Sequence, residues 1–169
     1  MKKIVIVNSS PRMNGNCDVL CSEFGRAAVM NEGNEVTRID LKDLDLDFYR
    51  EDQEKDDMDS IAQEMMVSDI IVLASPVYFY NISGQMKTLI DRMMPYFGQI
   101  ADKDFYFILT AAVNKKEMEA AADTLQGFTD SLPNANVVHT FYGANVSQKG
   151  DVMDRPAFKE IYEIASKIC

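Results

Sequence analysis

The chain has 169 residues, of which 17 are Lys or Arg and 27 are Asp or Glu, so its formal net charge is −10. A chain of this length fits one domain, and its 47% hydrophobic and 26% charged residues are ordinary proportions for a globular protein. These values argue against disorder. The acidity argues against nucleic acid and anionic membrane surfaces as partners, because binding to phosphate groups needs a basic face.

Four short apolar runs and one weaker, partly alternating segment predict β-strands. In chain order they are Ile4 to Val7, Glu35 to Ile39, Ile70 to Ala74, Phe105 to Leu109 and Val137 to Tyr142. All but the second are largely continuous in apolar residues, as expected when helices cover both faces of a parallel sheet.

Amphipathic segments alternate with these strands and predict helices. Their apolar residues recur at helical spacing within Leu20 to Ala28, Met58 to Met66, Met86 to Met94, Met118 to Leu125 and Phe158 to Ala165. Five βα units in one compact length predict an α/β fold, a doubly wound sheet in three α/β/α layers. No repeat or linker divides the chain, so we expect a single domain over 1–169.

The negative charge is concentrated between Asp40 and Asp59, where ten acidic and three basic residues give a net charge of −7. The carboxylates there approximate the spacing of an EF-hand loop: Asp43, Asp45, Asp47, Glu51 and Glu54. Phe48 replaces the glycine that such a loop needs at its sharp turn. Leu44 and Leu46 alternate as if they pack inward. We therefore interpret the segment as a solvated acidic loop with buried leucines.

The loop after the first predicted strand, Asn8 to Asp18, combines hydroxyls, side-chain amides, a glycine and Arg12, and leads into a helix. Free N–H groups and the helix dipole favour an anion at such a place, and Arg12 can add a charge-assisted hydrogen bond. The alternative is a polar loop with an ordinary Asn or Ser cap. Neither a G-x-G-x-x-G motif nor a P-loop is present, so dinucleotide-binding and P-loop classes are not favoured.

The loop after the third predicted strand, Ser75 to Gly84, contains three consecutive aromatic residues, Tyr78 to Tyr80. Such residues either pack against a partner subunit or form the wall of a site for a flat ligand. In an open parallel sheet, ligands bind beyond the carboxyl ends of the strands. An anion-binding loop and an aromatic wall at that edge together suggest flavin mononucleotide (FMN).

Two motifs resemble those of the NADPH-dependent FMN reductase family. They are Ser9 to Cys17, and Ser75 to Lys87 followed by Asp91-Arg92. The iron–sulfur flavoproteins and their cluster-free relatives are the most similar branch. The resemblance implies a flavodoxin-like FMN-binding domain over 1–169, with a five-stranded parallel sheet in the order 2-1-3-4-5.

The resemblance also implies the site residues. Ser10, Arg12, Asn16 and Cys17, with Asn14 in the same loop, are expected to hold the phosphate of FMN. Pro76, Val77, Tyr78, Phe79, Asn81 and Ser83 are expected at the ribityl chain and isoalloxazine ring, which Thr110 and Ala111 approach. Phe79 and Tyr80 are expected to shape the face where nicotinamide or an acceptor stacks. No side chain is assigned a catalytic role, since the flavin carries the chemistry.

Two positions and one segment depart from the family pattern. Ser9 replaces a glycine, which predicts a tighter backbone approach, and Cys17 replaces a threonine that would donate to the phosphate. Iron–sulfur flavoproteins carry a cysteine cluster after the second strand, whereas Leu44 to Asp57 contains no cysteine. We therefore expect no iron–sulfur cluster, and we interpret the acidic segment as a replaced segment at the rim of the active-site entrance.

Two cysteines and the single histidine are also considered as candidate functional residues. Cys17 and Cys21 are four residues apart on a helix, but a structural zinc site wants about four ligands, so no metal site is predicted. Cys17 is interpreted either as a reactive thiol with a lowered pKa or as a cap residue. His139 is expected to be half-buried and structural. Lys87 and Asp91 are spaced for an i, i+4 ion pair.

The sequence thus predicts an FMN-dependent NAD(P)H oxidoreductase. A hydride would pass from NAD(P)H to the flavin and on to a small acceptor such as a flavin or a quinone. The alternative is a non-enzymatic FMN electron carrier that docks a redox partner. A receiver-type signalling module is disfavoured because the strand ends lack its acidic cluster. Three cysteines, no signal peptide and no membrane span suggest a soluble cytoplasmic protein, and the resemblance suggests a homodimer or homotetramer.

Overall fold

A computed structural model describes all residues from 1 to 169. Five parallel strands and one short antiparallel strand form the sheet. The strands are β1 (Lys3–Asn8), β2 (Glu35–Asp40), β3 (Ile70–Tyr78), β4 (Asn81–Ile82), β5 (Asp104–Thr110) and β6 (Asn136–Gly143). Their order is β2-β1-β3-β5-β6, and β4 pairs antiparallel with β3. The predicted order 2-1-3-4-5 is therefore confirmed, because β5 and β6 are the fourth and fifth predicted strands.

Five helices cover the two faces of the sheet, as the predicted three-layer architecture requires. They are α1 (Asn16–Ala28), α2 (Met58–Val67), α3 (Gly84–Arg92), α4 (Glu119–Asp130) and α5 (Pro156–Ala165). Helices α1 and α5 pack on one face, and α2, α3 and α4 pack on the other. None of these helices has both the length and the apolar character needed to cross a membrane.

Alternation of side chains along the central strands builds both apolar cores at once. In β1, Val5 and Val7 belong to the core under α2, α3 and α4, whereas Ile4 and Ile6 belong to the core under α1 and α5. Successive side chains of a strand point to opposite faces, so a strand covered on both sides must be apolar at every position. This is why the continuous apolar runs predicted the central strands correctly.

Strand β3 is longer than predicted: it continues to Tyr78, so the predicted start of the following loop at Ser75 is wrong. The ladder with β5 continues to the pair of Pro76 and Thr110. The carbonyl of Ala74 accepts from the N–H of Ser9 on the β1 side, so alternation places the missing N–H of Pro76 on that side too. Strand β1 ends at Asn8, opposite Ala74. Pro76 therefore costs the sheet no hydrogen bond.

The acidic segment is folded onto the protein by a buried ion pair. The Arg92 guanidinium donates to both carboxylate oxygens of Asp56, at 2.5 and 2.9 Å, and to the carbonyl of Asp47 at 2.8 Å. The side chains of Arg92 and Asp56 are only 6% and 7% exposed. Leu44 and Leu46 pack against the core, as predicted. Arg92, the last residue of the family-like motif, thus anchors the segment to α3.

The same ion pair makes Asp56 an acid-sensitive point. The hydrogen bonds from Arg92 lower the pKa of Asp56 from an ordinary 3.8 to about 2. A lowered pKa in the folded state gives a stabilisation that is fully present above pH 4 and is lost as the pH falls towards 2.

We predict that Asp56→Asn lowers the free energy of unfolding by about 3 kcal/mol at pH 7, because it leaves the buried Arg92 charge without a partner. Urea denaturation at several pH values measures this, and the difference from the wild type should shrink as the pH approaches 2. Asp43→Asn is the matched control, because Asp43 pairs with Lys42 at the exposed surface and such pairs contribute little. Equal effects of the two variants would contradict the anchoring role of Asp56.

Candidate cofactor site

A cleft of about 220 Å³ lies at the carboxyl ends of β1, β3 and β5. Nine of the predicted site residues line it: Ser10, Arg12, Asn16, Cys17, Pro76, Val77, Tyr78, Thr110 and Ala111. The cleft is completed by four residues that were not predicted: Gly15, Ala112, Val146 and Ser147. The last two lie on the segment after β6, and no motif in the sequence pointed to them.

One end of the cleft is built to receive an anion. Helix α1 begins after Gly15, which provides no side-chain cap, so its first N–H groups have no intrahelical partner. Arg12 donates to the carbonyl of Ser147 at 3.1 Å and forms no ion pair with a carboxylate. The hydroxyl of Ser10 accepts from the N–H of Arg12 at 3.3 Å, which leaves its proton free. These donors converge without a negative charge among them.

Asn16 supports the loop from within. The amide of Asn16 donates to the carbonyl of Gln148 at 2.9 Å and accepts from the N–H of Val152 at 3.2 Å, so it ties α1 to the segment after β6. Its side chain is therefore already hydrogen-bonded at both ends. These two hydrogen bonds fix the wall of the cleft that contains Ser147.

Both interpretations of Cys17 are corrected. Gly15, not Cys17, is the cap residue of α1. The pKa of the Cys17 thiol is raised well above its ordinary value, chiefly by the neighbouring Cys21 thiol and then by burial. The dipole of α1 favours a thiolate, but burial disfavours the charged form more strongly. Cys17 thus lines the cleft as a neutral thiol.

A polar network behind the loop was not predicted. Asn8 donates to Asp40 at 2.7 Å, and its oxygen accepts from the N–H of Ser10 at 3.1 Å. Arg38 bonds both Asp40 and Asp18, and Asp18 accepts from the N–H of Asn14 at 2.6 Å. The network therefore joins the anion-binding loop to strand β2. Asn14 itself does not line the cleft; it adopts a positive φ of 56° and turns the loop.

The other end of the cleft is more apolar. It is formed by Pro76, Val77 and Tyr78 at the end of β3 and by Thr110 and Ala111 at the end of β5. Thr110 is only 5% exposed, and its hydroxyl has no hydrogen-bond partner within the chain. A buried hydroxyl that opens on a cleft is an available partner for a polar group of a ligand.

Phe79 and Tyr80 form the tip of a two-residue hairpin between β3 and β4. Both have positive φ, 50° and 67°, which two-residue turns of type I′ require and which usually selects Asn and Gly. Phe79 is 99% exposed and Tyr80 is 58% exposed. Neither residue lines the cleft, and Phe79 is almost fully exposed whereas Tyr80 is partly covered. They project from the molecule beside the cleft on a strained backbone.

Asn81 and Ser83 are placed behind the hairpin. Asn81 accepts from the N–H of Ile82 at 2.8 Å and from the hydroxyl of Thr124 at 3.0 Å. Ser83 is buried, caps α3 by accepting from the N–H of Met86, and donates to the hydroxyl of Ser9 at 2.8 Å. In turn, Ser9 donates to the carbonyl of Ala74 at 3.0 Å. Ser9, where the family has glycine, thus bonds the two motif loops together.

Comparison with known proteins identifies the family. The family model of NADPH-dependent FMN reductases matches residues 2–148. The chain belongs to this family. It is 32% identical over 127 residues to an iron–sulfur flavoprotein of Archaeoglobus fulgidus, covering 68% of this chain and 57% of that protein. It is 36% identical over 102 residues to an iron–sulfur flavoprotein of Methanocaldococcus jannaschii, covering 55% of this chain and 52% of that protein.

The chain thus spans little more than half the length of these relatives. Among solved structures, an azoreductase of Bacillus anthracis superposes with a TM-score of 0.80 at 16% identity, covering 99% of this chain and 100% of that chain. This likeness confirms the fold. In this chain, the two motifs quoted from the sequence supply eight of the thirteen residues that line the cleft.

We predict that the double substitution Phe79→Asn, Tyr80→Gly raises the free energy of unfolding by about 1–2 kcal/mol, because it relieves left-handed backbone strain at two bulky residues. Thermal denaturation without ligand measures the gain. Phe48→Asn is the control, because Phe48 is also an exposed aromatic side chain but has no positive φ. A loss of stability in the hairpin variant would contradict the assignment of strain.

Proposed function

We propose that this protein is an FMN-dependent NAD(P)H oxidoreductase that reduces a small acceptor such as a flavin or a quinone. The observation that carries the proposal is the chemistry of the cleft. It combines unpaired helix N–H groups and an arginine free of carboxylates at one end with a largely apolar wall and a hydroxyl without a protein partner at the other. A phosphate needs the first group of donors, and a heterocyclic ring fits the second.

The residues present fit FMN. Ser10, Arg12 and the N-terminus of α1 would hold the phosphate. Val77, Tyr78 and Ala111 would lie along the ring, and Thr110 would bond a polar edge. When bound, FMN supplies hydride acceptance from NAD(P)H and electron donation to the second substrate. The protein itself binds, orients and shields, so no acid or base among its side chains is required.

The projecting hairpin supports a role in substrate binding. Phe79 and Tyr80 stand beside the cleft with their rings free, where they would stack on a nicotinamide or an aromatic acceptor. The two-residue turn fixes the backbone from which both rings project. Asn81 and Ser83 would then act through the hairpin and the start of α3 by fixing its position.

The alternative function, an FMN electron carrier, is supported by the acidic segment. Its carboxylates are mostly exposed, together with Phe48 and Tyr49, so it offers a charged and apolar surface to a basic redox partner. Association through such a surface would weaken steeply as salt is added. A carrier would reduce its partner without oxidising NAD(P)H directly, which separates it from the enzyme.

The cellular compartment, the partners and the oligomeric state of the protein are also proposals. We infer a cytoplasmic protein, because all three cysteines are free thiols and such thiols persist in a reducing compartment. The net charge of −10 argues against nucleic acid as a partner. A homodimer or homotetramer is supported by the exposed side chains of Met94 and Phe97 at the end of α3, because grouped exposed apolar side chains often mark interfaces.

We predict that Arg12→Ala weakens FMN binding about 10- to 100-fold but changes riboflavin binding less than threefold, because only FMN carries the phosphate. Flavin fluorescence titration measures both affinities. Arg50→Ala is the matched control, because Arg50 lies in the acidic segment, away from the cleft residues. Equal losses for the two flavins would contradict the assignment of Arg12 to the phosphate.

We further predict that the FMN-loaded protein oxidises NADH or NADPH when riboflavin or a quinone is supplied. The decrease of absorbance at about 340 nm, where reduced nicotinamide absorbs, measures this activity. Failure with both nucleotides and all acceptors, together with normal FMN binding, would overturn the enzyme proposal in favour of the carrier.

A further inference from the structure

A second pocket lies between the start of the acidic segment and the start of α3. Its volume is about 420 Å³, and its lining includes Leu44, Leu46, Phe48, Gly84 and Thr88. We call it the side pocket. We propose that the side pocket binds a neutral, planar aromatic molecule that carries carbonyl oxygens. This inference does not rest on the proposed function, because none of these residues lines the cofactor cleft.

Thr88 provides the first argument. Thr88 is only 7% exposed, yet its hydroxyl makes no hydrogen bond within the chain. No side-chain polar atom that is fully sealed from solvent lacks a partner in this protein, so the hydroxyl of Thr88 opens on the side pocket that the residue lines. The hydroxyl is therefore a hydrogen-bonding group without a protein partner inside the side pocket, and a ligand oxygen could bond it in place of water.

The start of α3 provides further donors on the same wall. Ser83 caps the helix by accepting from the N–H of Met86, which leaves the N–H groups of Gly84 and Gln85 without a partner in the chain. Gly84 and Thr88 are four residues apart and therefore share a face of α3. A β-carbon at Gly84 would meet no atom within 4 Å. The glycine thus leaves room beside the free donors.

The opposite wall is apolar. Leu44 and Leu46 turn inward from the acidic segment and pack against the core, while Phe48 is largely exposed at the mouth of the side pocket. A flat ring inserted there would cover leucine side chains on one side and contact Phe48 at the mouth. Apolar walls with a few convergent polar groups are typical of small-molecule sites.

The charge of the surroundings selects the ligand. The free N–H groups of Gly84 and Gln85 are donors, and the hydroxyl of Thr88 can also donate, so this wall favours an acceptor oxygen over a cation. The acidic segment that forms the other wall has a net charge of −7 over Asp40 to Asp59, which disfavours a carboxylate. Lys42, also in the lining, is already paired with Asp43 at 2.6 Å. A neutral carbonyl compound satisfies both conditions.

The test uses the whole protein with menadione (2-methyl-1,4-naphthoquinone) as the probe and without NAD(P)H, so that no turnover occurs. Amide chemical shifts are followed by NMR in the presence and in the absence of saturating FMN. We expect the amide signals of Gly84, Gln85 and Thr88 to shift in both conditions. Because the result is read without any requirement for FMN, failure of this inference and failure of the proposed function are distinguishable.

Three variants examine the contacts. Thr88→Val should weaken menadione about three- to tenfold, the effect of one lost hydrogen bond, whereas Thr37→Val on the exposed edge strand β2 should leave the affinity unchanged. Gly84→Leu should abolish binding by filling the side pocket. Phe48→Ala should weaken binding, and because Phe48 is exposed, this variant should fold normally even if Thr88→Val does not.

The probe without oxygens, 2-methylnaphthalene, should bind at least threefold more weakly than menadione. Three results would overturn the inference: shifts confined to the residues of the cofactor cleft, unchanged affinity of both Thr88→Val and Gly84→Leu, or equal binding of the two probes. The first would place menadione in the cleft alone. The last would show that the donors of α3 do not select the ligand.

Discussion

Burial of β1, β3 and β5 on both faces is the constraint on which the rest of the structure depends. These strands contribute apolar side chains to the core under α1 and α5 and to the core under α2, α3 and α4 at alternate positions. A strand enclosed in this way has no face on which polar side chains could meet solvent or a ligand. Polar groups are therefore displaced to the carboxyl ends of the strands. The cofactor cleft and its loops occupy that edge of the sheet.

Once the chemistry lies on loops, hydrogen bonds must fix the loops. Ser9 binds Ala74 and Ser83, and so it couples the loop after β1 to the end of β3 and the start of α3. Asn8, Asp40 and Arg38 connect the same loop to β2. The edge of the sheet is thus one connected polar layer over an apolar core. Groups left without partners there, such as the hydroxyl of Thr110, are available to ligands.

Two features depart from what local sequence preference favours. The hairpin tip places bulky aromatic residues, Phe79 and Tyr80, where glycine and asparagine are preferred, and the acidic segment concentrates like charges beside α3. The ion pair of Arg92 with Asp56 and the inward side chains of Leu44 and Leu46 stabilise that segment. Both places border a pocket. Such conflicts are expected at functional surfaces.

The sequence by itself determined the layers, the number of parallel strands and the two motif loops, because these follow from local periodicity and from residues close together in the chain. The strand order came from family resemblance, and family membership is confirmed. The sequence also indicated Leu44 and Leu46 as inward-facing side chains. Short-range patterns carry this information because a strand or a helix repeats every few residues.

Only the tertiary structure decided which of those residues meet. It added Val146 and Ser147 to the cleft, placed Ser83 in a buried cap, raised the pKa of Cys17 and joined Arg92 to Asp56 across 36 positions of sequence. It also formed the side pocket from the acidic segment and α3. The physical reason is that burial, hydrogen-bond pairing and pKa depend on neighbours distant in the chain, and no local pattern records them.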